Sequence, residues 1–407
     1  MRVLLSAYGC EPNRGGEPEI GWQRVLHMLA YSDEVWVLTR SNNQGVIEAD
    51  PMGHAPGLHF IYYDLPQLFL KLKKKAWFLP FYLILWQWGA YRLAARHHRA
   101  KPFDSVYHLT FSGTHAGTLM GKLGIPFIIG PIGGGERAPL RLRRSIPMPC
   151  KVSELMRDLR ILLHRYGPIT RSSFAAAKRI YVTTPDSLRL VPAKWHFKTE
   201  VQLSIATCGQ ATQQAVRQPL ASPRFVCFGR LLHWKGVHFA IRAIAEARQT
   251  LPTATLTVFG SGPEELWLRG LAKRIAVADA VRFVGHVPNR GQILDSLHTY
   301  NAHVFPSLHD SGGMVALEAL SAGLPVICLD IGGPGVIVNE SCGVVVSTAG
   351  ADEAKVVTGI ANAMVHLGSM PSAEYECLSR GAVTRANDLS WAKLTERVAC
   401  CASEQRV

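Results

Sequence analysis

The sequence predicts an α/β protein made of two Rossmann-like domains, each built on a parallel β-sheet. Its 407 residues correspond to two or three domains at ~100–200 residues each. Short apolar runs alternate with longer stretches of helical periodicity, first over residues 2–39 and again from residue 225 onward. A polar stretch without periodicity, residues 206–222, separates these two regions. Since 48% of the residues are hydrophobic, the chain can bury two large cores.

These patterns set the predicted domain boundaries. Residues 1–205 form the N-terminal domain, residues 206–222 the linker, and residues 223–388 the second domain. Residues 389–407 form a C-terminal segment, with a helix opened by Leu389-Ser390-Trp391 and reaching about Ala402.

The N-terminal domain begins with a strand at Arg2–Ser6, a loop containing Gly15 and Gly16, an amphipathic helix, and a strand at Val35–Thr39. This order is Rossmann-like, but the glycine spacing differs from the G-x-G-x-x-G dinucleotide fingerprint. The sequence therefore argues against an NAD-dependent oxidoreductase.

Later strands of this domain are predicted at Phe103–His108, Pro126–Ile129 and Ile180–Thr184, the last of these closing the sheet. The first leads into the loop ending at His115, and the second into the glycine-rich loop Gly130–Glu136. Loops at the carboxyl ends of parallel strands are where α/β proteins bind ligands.

The second domain opens with a strand at Phe225–Phe228 and the loop Gly229–Gly236, followed by a helix at Val237–Arg248. The loop carries Arg230 and Lys235, five positions apart. A guanidinium that binds in bidentate fashion and an ammonium point charge can converge on a diphosphate without a metal ion. Two more strand–loop units follow at Leu256–Phe259 and Val281–Val284, the latter running into Gly285–Pro288.

Residues 304–330 carry the most informative pattern: a strand, the loop Ser311-Gly312-Gly313, a helix, a Gly-Leu-Pro stop and the strand Val326–Leu329. A glycine loop that opens a helix presents bare N–H groups and the positive dipole end, which suits an anionic group. Asp310 lies just before the helix, and Glu318 lies about two turns into it. The two carboxylates can thus hold different parts of one ligand.

This last stretch resembles the E-x7-E segment of family 4 retaining glycosyltransferases, which have the GT-B fold: two Rossmann-like domains facing across a central cleft. Asp310 stands where that family usually has Glu. The resemblance implies that Glu318 holds the donor ribose, and that Asp310 and the glycine backbone hold the transferred sugar. The Asp-Ser-Gly-Gly variant and the loop Gly130–Glu136 are similar to those of an exopolysaccharide-synthesising subgroup.

The resemblance also implies roles for residues elsewhere in the chain. Arg230 and Lys235 correspond to the clamp on the donor diphosphate, and His108 to a cleft histidine near the transferred sugar. The donor is further contacted by residues of three glycine-containing loops and of the helix after the last one: Gly15, Gly16, Val287, Gly312, Gly313, Met314 and Val315. Glycines needed only for turn geometry, and a purely structural His108, are the alternatives. The final helix is expected to pack back across the domain junction.

The implied reaction transfers a glycosyl unit from a nucleoside diphosphate sugar with retention at the anomeric carbon. This sugar nucleotide is a co-substrate, and we predict no cofactor and no metal, because the chain has no D-x-D site. No pair of carboxylates can be assigned as nucleophile and acid, which favours front-face transfer assisted by the leaving phosphate.

The positive charge is concentrated in one half of the chain. Residues 1–205 have 27 Lys+Arg and 14 Asp+Glu, whereas residues 206–407 have 17 and 16. Within residues 71–101, basic side chains flank the apolar, aromatic run 76–88, which is shorter than the ~20 residues of a membrane span. This pattern is typical of an element in the membrane interface. A buried helix of the N-terminal domain is the alternative.

The expected partners are therefore the cytoplasmic membrane surface and a lipid-linked saccharide acceptor, and we expect no nucleic acid. Nine cysteines, which lie mostly inside apolar runs and include no C-x-x-C pair, are interpreted as reduced core thiols of a cytoplasmic protein. The chain's first residues are interpreted as a strand rather than a signal peptide.

Three other functions stay open at this level. A GT-B epimerase or phosphorylase would share the architecture, although no pyridoxal-lysine motif is found. A nucleic-acid binder would explain the pI of about 9.5, but no reading motif accompanies the charge. A catalytically impaired, membrane-docked protein that binds nucleotide sugars is conceivable because of Asp310.

Overall fold

The computed structural model describes residues 1–75, 77–109, 117–165, 167–208, 217 and 219–403. The chain folds as two compact units. The first comprises residues 1–135, 158–204 and 391–407, and the second comprises residues 136–157 and 205–390. Most of the predicted linker 206–222, and the predicted loop 110–116 that includes His115, lie outside the described residues.

The first unit contains a parallel sheet of seven strands in the order β3-β2-β1-β4-β5-β6-β7. The strands are β1 (Arg2–Ala7), β2 (Glu34–Arg40), β3 (Leu58–Tyr63), β4 (Ser105–Leu109), β5 (Phe127–Ile132), β6 (Arg179–Val182) and β7 (Thr199–Val201). The helices of this unit are α1 (Gly16–Met28), α2 (Gln44–Ala49), α3 (Gln67–Leu72), α4 (Leu79–Ala100), α6 (Pro168–Ala176) and α14 (Trp391–Ser403). Helix α5 (Met148–Arg165) begins in the second unit and ends in the first. β1, in the middle of the sheet, is buried along its whole length because it is apolar and has a strand on each side.

The second unit contains a parallel sheet of six strands in the order β10-β9-β8-β11-β12-β13. The strands are β8 (Arg224–Phe228), β9 (Thr255–Phe259), β10 (Val281–Gly285), β11 (Ala302–Phe305), β12 (Val326–Leu329) and β13 (Gly343–Val346). The helices are α7 (Val237–Ala247), α8 (Glu265–Arg274), α9 (Arg290–Ser296), α10 (Met314–Ser321), α11 (Gly332–Ile337), α12 (Glu353–Gly368) and α13 (Ser372–Asp388).

The predicted fold class, two Rossmann-like parallel sheets, is confirmed. One prediction is wrong: β6 does not close the first sheet, because β7 pairs with it along Thr199–Val201. Two of the three β7 residues are exposed, so this edge strand lacks the apolar run on which strand prediction depends.

Part of the predicted N-terminal domain belongs to the second unit. This part, residues 136–157, is here called the arm. Ala138 and Leu142 of the arm are buried in the core of that unit, and Glu353 accepts a hydrogen bond from the backbone N–H of Ser145 at 2.8 Å. At the other end of the chain, α14 packs on α1 of the first unit, where the Arg24 guanidinium lies 5.4 Å from the ring centre of Trp391.

The apolar run 76–88, most of which lies on helix α4, has both a buried and an exposed side. One face is buried: Tyr82 and Trp86 are fully enclosed in the core, and Tyr82 donates a hydrogen bond to Asp64 at 2.7 Å. The side chains of Trp77 in the preceding turn and of Phe81 on the helix are more than half exposed. Tyr82 and Trp86 are thus structural, and the interface prediction is left with the exposed set Trp77, Leu79, Phe81, Ile84, Leu85 and Trp88.

No helix within the described part of the chain has the length and apolarity required to cross a bilayer. Eight cysteines have described side chains. Four of them are buried, but Cys208, Cys377 and Cys400 are exposed, so the prediction of thiols mostly inside the core holds for only part of the set.

Candidate active site

The topology of the second sheet places two loops at its switch point. β8 lies between β9 and β11, so the chain leaves β8 toward one side of the sheet and returns to β11 on the other. Ligands of open α/β sheets bind outside the carboxyl ends of the strands at such a point. The loop after β8 carries Arg230 and Lys235, and the loop after β11 carries Asp310. The fold therefore brings together the residues that sequence analysis singled out.

Asp310 is the centre of this arrangement. Its Oδ2 accepts a hydrogen bond from the Lys235 ammonium, and its Oδ1 accepts the backbone N–H groups of Gly312 at 3.1 Å and Gly313 at 3.0 Å. Gly313, at φ 78°, adopts a left-handed conformation and begins α10, a position where a side chain would be strained. The N–H groups that were expected to face an anion thus hold the Asp310 carboxylate in this structure.

The loops after β8 and β11 are joined directly through their backbones. The carbonyl oxygen of Trp234 accepts hydrogen bonds from the Leu308 N–H at 2.7 Å and the Ser307 hydroxyl at 3.0 Å. Gly236 has φ 69°, and a Cβ there would lie 1.9 Å from the Pro306 carbonyl oxygen. Only glycine fits this approach, and the close contact fixes Lys235 relative to Asp310.

A small pocket opens at the end of β8. Its lining includes Gly229, Arg230, Leu231, Lys235, Val304 and Phe305. The Arg230 side chain is exposed, and the Lys235 ammonium lies 5.2 Å from the centre of the Phe305 ring. Both cations border one concave surface, as a clamp on a diphosphate requires.

Glu318 lies on α10 and forms an ion pair with Arg290 at the start of α9. Burial raises the pKa of Glu318, while the charge of Arg290 acts in the opposite direction. Its Oε2 is buried without a hydrogen-bond partner. A ribose hydroxyl group is a donor that would satisfy such an oxygen. Met314 and Val315 on the same helix are half-buried, as is Val287 in the loop after β10.

The remaining predicted residues belong to the first unit. Gly15 and Gly16 precede and begin α1 with φ of 69° and 62°, where a Cβ would meet no atom within 4 Å. Backbone conformation, and not crowding, is therefore the reason for glycine at both positions. His108 is buried on β4, where its Nδ1 lies 2.9 Å from the Ser6 hydroxyl, and burial lowers its pKa to about 3. It is a neutral histidine at physiological pH.

Sequence reasoning missed four side chains of the site: Glu154 and Glu136 on the arm, and His233 and His309 beside Lys235 and Asp310. The Nε2 atoms of His233 and His309 lie 2.9 and 2.8 Å from the same oxygen of Glu154. The two histidines adjoin the motif residues, and that nearness in sequence was the available signal. Nothing in the local sequence of the arm indicates which unit it packs on.

The chain is similar in sequence to known glycosyltransferases. Residues 210–364 match the family model described as glycosyl transferases group 1. Over 179 residues the chain is 37% identical to a glycogen synthase of Mycobacterium tuberculosis, which covers 44% of this chain and 42% of the synthase. Over 234 residues it is 31% identical to the D-inositol 3-phosphate glycosyltransferase of Acidothermus cellulolyticus, which covers 54% of this chain and 48% of that protein. The chain thus spans less than half the length of these relatives.

Solved structures extend the likeness to the fold of the whole chain. The lipopolysaccharide outer core galactosyltransferase WaaB superposes with a TM-score of 0.65 at 12% identity, covering 100% of both chains. HepE from Anabaena, solved in complex with UDP, superposes with a TM-score of 0.59 at 15% identity, covering 99% of this chain and 100% of HepE.

The fold is therefore GT-B, and residues 210–364 match the family model of the group 1 glycosyltransferases. The resemblance stated from the sequence is confirmed at this level. Membership in an exopolysaccharide-synthesising subgroup stays a prediction.

Proposed function

We propose that this protein is a retaining glycosyltransferase. It transfers a hexosyl unit from a nucleoside diphosphate sugar to a lipid-linked saccharide at the inner face of the cell membrane, in cell-surface or exopolysaccharide synthesis. The observation that carries the proposal is made at the switch point of the second sheet: Lys235 is bound to Asp310 at the start of α10, and it lines one pocket together with Arg230.

The donor is a nucleoside diphosphate sugar because the site offers complementary groups along such a molecule. Arg230 and Lys235 supply charge for the diphosphate, Asp310 accepts hydrogen bonds from sugar hydroxyls, and Glu318 accepts them from ribose. Lys235 has three N–H donors, so it can bind a phosphate oxygen while keeping its bond to Asp310. HepE, a structural neighbour, has been solved with UDP and with UDP and glucose, which supports this donor class.

The chemistry follows from the leaving group. Departure of a nucleoside diphosphate places developing negative charge on the phosphate oxygen, and preorganised cations beside that oxygen lower the barrier. Arg230 and Lys235 act in this way. Transfer on the same face of the sugar, assisted by the leaving phosphate, retains the anomeric configuration without a protein nucleophile.

The proposal is tested by supplying radiolabelled UDP-, GDP- and ADP-hexoses together with a lipid extract of bacterial membranes. We expect label to move into the lipid phase from one of the three donors, and the product to keep the anomeric configuration of the donor. An inverted product would contradict the retaining mechanism, and hydrolysis without transfer would contradict the lipid-linked acceptor.

We expect the same assay to be insensitive to EDTA. Arg230 and Lys235 neutralise the charge on the leaving diphosphate, as a magnesium ion does in metal-dependent transferases. Chelation should therefore leave the initial rate within about twofold of the untreated enzyme. A strict requirement for magnesium, restored by adding the ion back, would show that Arg230 and Lys235 do not suffice.

The membrane proposal rests on α4 and the turn before it. Trp77, Phe81 and Trp88 expose apolar rings, and Lys71, Lys74 and Lys75 are exposed close by in sequence. Each lysine near an anionic surface contributes about 1 kcal/mol before screening. Lys73 contributes less, because its ammonium lies 4.8 Å from the centre of the buried Tyr82 ring. The aromatic rings add insertion into the headgroup region, which salt does not remove.

We therefore expect the protein to float with vesicles containing phosphatidylglycerol at low salt and to bind less at high salt. The double variant Trp77→Ser/Phe81→Ser should bind several-fold more weakly still, since both side chains are more than half exposed and their loss should not disturb the core. Flotation of labelled vesicles measures both effects.

Leu266 provides the matched control. It is an exposed apolar residue on α8, in the half of the chain that carries almost no net charge, and Leu266→Ser should bind vesicles like the wild type. If the wild type stays unbound at low salt, or if all variants bind equally, the exposed face of α4 is not a membrane element.

A further inference from the structure

The arm places two buried carboxylates on either side of Asp310. Glu154 contacts His309, which precedes Asp310, and the Glu136 carboxylate accepts a hydrogen bond from the hydroxyl of Ser311, which follows it. The arm is also fastened to itself, because an Nη of Arg157 donates to the Glu136 carbonyl oxygen at 3.1 Å. A segment that precedes the second unit in sequence thus holds the loop that bears the central site residue.

Glu154 makes the more extensive of these two contacts. A single oxygen, Oε1, lies 2.9 Å from His233 Nε2 and 2.8 Å from His309 Nε2. His233 lies two positions before Lys235 in the loop after β8, and His309 lies in the loop after β11. All three side chains are buried, and the ring of His309 stacks on Trp234 with centroids 5.2 Å apart. One carboxylate oxygen therefore ties together both loops of the site.

A metal ion is the first alternative, since the three ligating atoms lie within 4.8 Å of one another. The charges around the cluster oppose it. An Nη of Arg143 lies 3.9 Å from the second oxygen of Glu154. Burial lowers the pKa of His309, and the positive charge of Arg157 acts in the same direction. The guanidinium groups of Arg143 and Arg157 already place positive charge beside the cluster, which disfavours adding a divalent cation.

Hydrogen bonding accounts for the contacts of Glu154 Oε1 without an ion, while Oε2 has no hydrogen-bond partner among the described residues and faces Arg143 at 3.9 Å. Although burial raises the pKa of Glu154, hydrogen bonds from His233 and His309 outweigh that effect and hold it below its usual range. A carboxylate that accepts two imidazole N–H groups fixes the orientation of both rings. The rings in turn are one and two residues from the side chains that contact the donor in the proposed function.

We infer that Glu154 is a positioning residue for sugar transfer: through His233 and His309 it sets Lys235 and Asp310 at the separation that the donor diphosphate and sugar require. It touches neither substrate. The inference rests on the proposed function. It adds a role for the arm, which comes from the N-terminal part of the chain: the arm determines how tightly the second unit binds the diphosphate part of the donor.

The test compares two ligands that differ by one phosphate. In Glu154→Ala, binding of the nucleoside diphosphate should weaken about tenfold, the scale expected when a buried hydrogen-bond acceptor is removed. Binding of the nucleoside monophosphate should change less than twofold, because Glu318 and the base-binding loops are untouched. Glu154→Gln keeps an oxygen that can accept both N–H groups and should restore most of the affinity and of kcat.

Glu353→Ala is the matched control. Glu353 also fastens the arm, through the Ser145 N–H at 2.8 Å. It also accepts a hydrogen bond from Arg242 of α7 at 3.2 Å, which lies outside both loops of the site. Its removal should leave the affinity for both nucleotides unchanged. If Glu353→Ala weakened binding of the nucleoside diphosphate as much as Glu154→Ala, the affinity would depend on packing of the whole arm. That result would overturn the specific role of Glu154.

A ligand-free measurement separates this inference from the proposed function. Glu154→Ala should speed amide hydrogen exchange in peptides covering residues 231–236 and 307–313, whereas Glu353→Ala should not. Unchanged exchange would overturn the inference even if the protein transfers sugar, and increased exchange supports it even if the wild type binds no nucleoside diphosphate. One equivalent of zinc in the purified protein, absent from Glu154→Ala, would also overturn it in favour of a metal centre.

Discussion

Glu318→Ala is expected to abolish sugar transfer while leaving the protein folded. In the proposed site this carboxylate accepts hydrogen bonds from the donor ribose, and alanine offers no acceptor. The fold should tolerate the change, because the carboxylate is buried with one oxygen unpaired, and burial raises its pKa. A buried group of that kind does not stabilise the folded state at neutral pH. Its partner Arg290 is half exposed and can be solvated by water.

The initial rate of transfer and the midpoint of thermal unfolding measure these two effects. Glu340→Ala, at an exposed position of the same unit, serves as the control and should behave like the wild type. Normal turnover by purified Glu318→Ala would remove this residue from the site. A large fall in the unfolding midpoint would instead show that its main contribution is to packing.

The second large effect is expected at the clamp. Arg230→Ala and Lys235→Ala should each lower kcat/KM by ~10²–10³-fold, the scale of losing one donor that stabilises charge in the transition state. For Lys235→Ala the loss includes a further part, since Asp310 then lacks its cationic partner. Lys235→Arg keeps the charge but changes its shape and reach, so we expect only partial recovery.

Steady-state kinetics with the preferred donor checks this prediction, with Lys273→Ala on the exposed face of α8 as the control for loss of a positive charge. A rate within threefold of the wild type for both clamp variants would mean that the leaving diphosphate is stabilised by other groups.

Much of the second unit could be predicted because its strands, glycine loops and helix starts are marked by residues close together in the sequence. The strand Val326–Leu329 was placed with its observed bounds, and the glycine at 313 was expected to open α10. Strand order then brings the loops after β8 and β11 together, since both lie at the switch point. The sequence could not show that Asp310, and not a ligand, accepts the N–H groups of Gly312 and Gly313, because that depends on side-chain packing.

Two other features lay beyond sequence reasoning because they depend on long-range contacts. Apolar residues recur at helical spacing in the arm, but Val152, Leu155 and Met156 are exposed, so this pattern does not show which sheet the arm packs on. Glu154 meets histidines 79 and 155 positions away. In the run 76–88, aromatic residues that look alike in sequence divide between core and surface: Trp86 is enclosed, and Trp77 is exposed. Composition identifies such a segment as apolar, but only the packing of α4 against the sheet decides which rings are available to a membrane.

We expect the second unit to bind a nucleoside diphosphate through Arg230 and Lys235. Saturation-transfer NMR on the full chain with UDP, GDP, ADP and tRNA tests it most directly. We predict that saturation passes from the protein to the base and ribose protons of one nucleoside diphosphate. This signal should be lost in the double variant Arg230→Ala/Lys235→Ala. Binding of tRNA alone, or a diphosphate signal that persists in the double variant, would contradict the account.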